Sequence, residues 1–173
     1  VPLLDLNAQY RGVEEDVFSA FKDVFDSKQF IMGAKITELE SQIAEYCQTK
    51  YAIGVSSGTD ALILSLMALG IGKGDEVIVP AQTHVATAHA VELVGAKAVF
   101  VDVFKDSGNI NPNLVKESIT SRTKAIAVVH YLGVPADMKK IKMIAKKYNL
   151  FLLEDCALSP GAYYGKKHTG LIG

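Results

Sequence analysis

The sequence contains no tryptophan, only two cysteines and only five prolines in 173 residues. Cys47 and Cys156 alone cannot build a disulfide framework or a four-cysteine zinc site, and two lone thiols suit a reducing compartment. A surplus of charge is missing too: eighteen Lys and Arg face nineteen Asp and Glu, a formal net charge of −1. Nucleic-acid binders carry a basic excess, so a nucleic-acid partner is not expected. No apolar run approaches the ~18 residues of a membrane span. The opening Val1-Pro2-Leu3-Leu4-Asp5 has neither the basic head nor the apolar core of a secretory leader. The expectation is a cytoplasmic protein without membrane contact. Short-period repeats and low-complexity tracts are also absent. What is present is ordinary globular composition, 49% hydrophobic and 21% charged, enough to bury a core.

Two hydrophobic periods divide the chain. Residues 1–50 read as a helical segment. Val13, Val17, Phe18, Phe21, Val24 and Phe25 fall on one stripe of a helix over 13–25. Ile36, Leu39, Ile43 and Cys47 do the same over 36–47, after a break at Gly33. From residue 51 short apolar runs alternate with helical ones. Strands are expected at 51–55, 76–80, 98–103, 124–130 and 150–155, with helices at 59–69, 85–94, 113–119 and 136–148. Five strands separated by four helices predict an α/β fold, a mostly parallel sheet with helices on both faces. Ligands of such sheets bind beyond the carboxyl ends of the strands. That directs attention to the residues following each run.

Ser56, Ser57, Gly58, Thr59 and Asp60 lie between a strand and a helix. Free amides at a helix N-terminus and a small glycine suit a phosphate, though Ser, Thr and Asp also serve as ordinary caps. His84 follows the second strand, where its ring would stack on a planar ligand, move a proton or simply cap a helix. His89 is five residues on, off the same helical face, and no HExxH spacing exists, so zinc is rejected and no metal is expected. Asp155 ends a very apolar strand, where a carboxylate calls for a cationic partner such as a protonated ring nitrogen; capping the next segment is the alternative. Cys156 reads as a small buried hydrophobe rather than a nucleophile. His130 stands at a strand end without a defined role. Lys139, Lys140, Lys142, Lys146 and Lys147 read as a solvated helix face.

In this order, the clusters resemble the DegT/DnrJ/EryC1/StrS family of pyridoxal-phosphate-dependent sugar aminotransferases. The resemblance is carried by residues 2–10, 30–33, 57–62 (Ser-Gly-Thr-Asp-Ala-Leu), 74–80, 94–96, 100–102, 133–138 (Gly-Val-Pro-Ala-Asp-Met) and Glu154-Asp155. Each piece is weak alone; the ordered set is specific. It implies the fold-type I aminotransferase large domain, here partial over 51–173, with the smaller C-terminal domain absent, and a homodimer. It implies pyridoxal 5'-phosphate as cofactor, cradled at its phosphate by Gly58, Thr59 and Asp60, stacked by His84 and paired at its ring nitrogen by Asp155. His84 replaces the usual Phe, Tyr or Trp, and Leu158 stands where many relatives carry Gln. The family's Schiff-base lysine is expected beyond Gly173, so a catalytic residue is not expected within the chain, which alone should not turn over. The intact parent is expected to transfer an amino group, from glutamate, to a nucleotide-linked keto-sugar in polysaccharide biosynthesis. A dehydratase of the same family and a non-enzymatic scaffold are the rival readings.

Overall fold

A computed structural model describes residues 4–173; the start of the 2–10 motif lies outside the described residues. The chain divides into two compact units, Val1–Gly54 and Val55–Gly173.

The first unit is helical: α1 (Leu6–Tyr10), α2 (Glu14–Ser27) and α3 (Ala34–Tyr46). Asp5 caps α1 by accepting from the Ala8 amide. The break between α2 and α3 falls at Gly33, where a Cβ would lie 2.6 Å from the Gln29 carbonyl oxygen. The strand expected at 51–55 does not form. A strand needs a ladder, and no described residue pairs with this stretch. Tyr51 and Ile53 stay exposed, and the Gly54 amide instead donates to Glu40 Oε1 at 2.7 Å.

The second unit opens with α4 (Gly58–Ala68) and continues β1 (Glu76–Pro80), α5 (Val85–Leu93), β2 (Lys97–Val101), α6 (Pro112–Glu117), β3 (Thr123–Val129), α7 (Met138–Tyr148) and β4 (Phe151–Asp155). Gly70 and Gly95 end α4 and α5 at φ +71° and +81°, the left-handed geometry glycine adopts without steric cost. The sheet has four strands, one fewer than the sequence pattern predicts, all parallel in the order β2-β1-β3-β4. A two-stranded antiparallel hairpin, β5 (Tyr163–Tyr164) and β6 (Lys167–His168), follows and turns at Gly165-Lys166.

Side-chain alternation sends the two faces of the sheet to different helices. Val77, Val79, Ala125 and Ala127 pack with Leu66, Ala90 and Val91 of α4 and α5. Ile78, Ile126 and Val128 pack with Val115, Met138, Ile141 and Ala145 of α6 and α7. Helices therefore cover both faces, as the patterning predicts. Of the inner strands, β1 is buried throughout and β3 everywhere but Lys124; β2 and β4 border the sheet, leaving Phe100 and Phe151 exposed.

The order also contains a reversal of winding direction. The chain moves outward from β1 to β2 through α5, then returns across β1 to β3 through α6. Helices on the two legs cover opposite faces, so the direction reverses between β1 and β3. Crevices form at such a reversal, beyond the carboxyl ends of the strands.

Candidate functional site

The carboxyl edge of the sheet gathers the ends of β1, β3 and β4 with the starts of α4 and α5. Residues 69–75 return α4 to the amino end of β1. Eleven helical residues span about 16 Å, about the length of a five-residue strand. The α4 N-terminus is thereby carried to the carboxyl edge, and α4 packs beside α5.

The turn before α4 is held by its own side chains. Ser57 Oγ accepts from the Asp60 amide, and the hydroxyls of Ser56 and Ser57 both donate to Asp60 Oδ2. Those hydroxyl bonds hold the Asp60 carboxyl below its ordinary pKa. Asp60 is thus committed to bracing the turn. The amides of Gly58 and Thr59 receive no acceptor from the described residues, as the first turn of a helix leaves them. A Cβ built on Gly58 would meet nothing within 4 Å, so the space over that residue is open.

His84 is the N-cap of α5: its Nδ1 accepts from the Ala86 amide at 3.2 Å. The capping bond orients an exposed ring. Asp155, at the tip of β4, is joined to the same helix. Its Oδ2 accepts from Thr87 Oγ1 at 3.1 Å, and its Oδ1 from the Ala157 amide at 3.2 Å. A carboxylate has about four acceptor positions, so Asp155 keeps capacity for a further donor. His84 and Thr87, the residue that holds Asp155, therefore lie within one turn of α5. Thr59 stands at the same edge on the neighbouring helix. Leu158 is exposed in the segment that follows Asp155.

The adjacent carboxylate does different work. Glu154 shares the parity of Leu152, which packs on the α6/α7 face, whereas Asp155 shares that of Leu153, on the α4/α5 face. His130 is fully buried and bonds Glu154 Oε2 at 3.0 Å through Nε2, while its Nδ1 accepts from the Ala136 amide. The amides of Gly170, Ile172 and Gly173 also donate to Glu154. Burial alone would push the Glu154 carboxyl up; the His130 bond and the three amides outweigh it and hold the group below its ordinary pKa. Cys156 Sγ lies within 4.8 Å of the donor atoms of this pair. Burial pushes its thiol up to about 11, away from the thiolate that metal binding or attack requires. With every oxygen and ring nitrogen engaged, His130 and Glu154 form a strut between β3, β4 and the 170–173 segment.

The sequence reading missed Thr87 and the His130–Glu154 pair. Alternation along 126–130 and 152–155 is the signal that separates Glu154 and His130 from Asp155. Thr87 is marked only by its place in the first turn after His84.

Among the described residues no helix is long and apolar enough to cross a membrane. Residues 12–173 match the model of the DegT/DnrJ/EryC1/StrS aminotransferase family. The chain is 44% identical over 173 residues to the dTDP-3-amino-3,6-dideoxy-alpha-D-galactopyranose transaminase of Aneurinibacillus thermoaerophilus, covering 100% of this chain and 48% of that protein. It superposes with TM-score 0.95 and 42% identity on DesV of S. venezuelae, solved with a ketimine intermediate, over 98% of this chain and 46% of the other. A GDP-4-keto-6-deoxymannose-3-dehydratase with a trapped PLP-glutamate geminal diamine matches with TM-score 0.83 and 37% identity, over 88% of this chain and 41% of the other. The chain thus spans about half the length of the relatives it matches. A parallel sheet wound on both faces, the ordered motifs along its carboxyl edge and a family match over nearly the whole chain agree: this chain belongs to the DegT/DnrJ/EryC1/StrS aminotransferase family.

Proposed function

We propose that this chain supplies the cofactor-holding part of an enzyme that transfers an amino group, from glutamate, to a nucleotide-linked keto-sugar with pyridoxal 5'-phosphate. The carrying observation is Asp155: a carboxylate at the carboxyl edge, tethered at both oxygens yet with acceptor capacity left. The residues suit the group. The free amides of Gly58 and Thr59, under open space, would take phosphate oxygens with help from the helix dipole and the Thr59 hydroxyl. Asp60 would act behind them by holding the turn. His84 would lie against the ring face, and Asp155 would accept the ring N–H and keep that nitrogen protonated. The bound cofactor supplies an electron sink for charge developing at the substrate carbon. Support for the substrate class comes from the transaminase relative, and for glutamate from the dehydratase complex.

That dehydratase relative also favours a second reading, removal of a sugar hydroxyl with the same cofactor. In either reading the protein is proposed to be cytoplasmic and to act as a homodimer; sedimentation showing a clean monomer would count against the dimer. The cofactor reading is tested by titrating pyridoxal 5'-phosphate into the wild-type chain and Asp155→Ala while recording visible absorbance. A saturable change that weakens in the variant is expected. No change in either protein defeats the reading.

A further inference from the structure

Asp155 does not hold its direction unaided. Thr87 is buried, 2% exposed, in the first turn of α5, and its Oγ1 is 3.1 Å from Asp155 Oδ2 and 2.9 Å from Thr83 Oγ1. A hydroxyl has one proton, and an ionised carboxylate only accepts. Thr87 must therefore donate to Asp155, which makes Thr83 the donor to Thr87. The result is a directed chain, Thr83 to Thr87 to Asp155, that ends on one carboxylate oxygen. Such chains polarise one another where water is scarce. Thr87 is also β-branched on a helix, which limits its χ1 rotamers. At the other oxygen the Ala157 amide supplies the second fixed point.

We infer that Thr87, backed by Thr83, is a positioning residue that fixes the Asp155 carboxylate in one rotamer and leaves its outward lone pairs for a ligand N–H. What Asp155 meets rests on the cofactor reading above; what holds Asp155 rests on the hydrogen-bond geometry alone. Neither threonine need touch the ligand. The two contributions separate experimentally, because the rotamer is readable without any cofactor.

The test compares wild type, Thr87→Val, Thr87→Ser and Thr83→Val by two measurements. Three-bond NMR couplings across the Asp155 Cα–Cβ bond report its rotamer in the free protein. Pyridoxal 5'-phosphate titration reports affinity and absorbance. Wild type and Thr87→Ser should show one rotamer; Thr87→Val, which keeps shape and loses the hydroxyl, should show averaging. The cofactor affinity of Thr87→Val should fall about tenfold, the scale of one hydrogen bond to a charged group, and return in Thr87→Ser. An unchanged single rotamer in Thr87→Val overturns the inference, whatever the cofactor does. Should Thr87→Val fail to fold, Thr87→Ala removes the same hydroxyl from a smaller side chain, and wild-type couplings there overturn it equally; Thr83→Val, which leaves the Thr87 hydroxyl on Asp155, should loosen the rotamer less than Thr87→Val. A wild type with one rotamer and no cofactor binding defeats the cofactor reading and leaves the positioning role standing.

Discussion

The two units carry comparable apolar patterning and treat it oppositely. In Val1–Gly54, helices α2 and α3 have the amphipathic spacing of core-facing helices, yet neither contains a buried residue, and Phe18, Phe21 and Phe25 stand in the open. What holds this unit is local: an edge-to-face contact between Phe25 and Phe30 at 5.6 Å, and exposed ion pairs such as Lys22–Asp26. In Val55–Gly173 the same kinds of side chain disappear between a sheet and two helical layers. Periodicity specifies a helix and marks the face it can bury. Burial itself needs a second surface, which the sheet provides for α4, α5, α6 and α7.

The largest expected effect tests the packed side of this contrast. Ile126, wholly buried at the centre of the sheet, should lose about 2–5 kcal/mol of stability when changed to Ala, as read by urea unfolding. Next comes the buried strut. Glu154→Gln places an amide donor among His130 and three backbone donors and should cost about 1–3 kcal/mol. Because the folded Glu154 pKa is depressed, its contribution is present above the unfolded carboxylate value and is lost as pH falls through the folded one. Wild-type stability should therefore decline in acid below the ordinary glutamate range, and Glu154→Gln should show a shallower decline over that window. The smallest effect is expected in the first unit: Phe21→Ala should change stability by no more than about 0.5 kcal/mol. A loss several-fold larger, with a parallel change in sedimentation, would show that the stripe is covered in solution and would break the comparison.

Most of the second unit was legible in the sequence because each element reports its own period. The runs at 76–80 and 124–130 are continuous since both faces are covered, and the glycines at 70 and 95 mark helix ends through their backbone geometry. Asp137 caps α7, where it accepts from the Lys140 amide. What was not legible depends on partners distant in sequence. The 51–55 stretch has strand composition, but composition cannot supply a ladder. The short α1 and the β5–β6 hairpin are too brief to show a period. At the candidate site, the edge positions of Gly58, Thr59, His84 and Asp155 follow from the alternating pattern. The Thr87–Asp155 bond joins residues 68 apart in sequence, and nothing local at position 87 announces it.

Glu154 and Asp155 are consecutive residues facing opposite sides of one strand tip, the first bound to His130 and the 170–173 segment, the second to Thr87. A peptide plane anchored on both sides works like a pinned axle: turning it for one neighbour turns it for the other. Damage to the strut on the far face is therefore expected to reach the carboxylate on the near face, so a substitution at His130 or Glu154 should also turn Asp155.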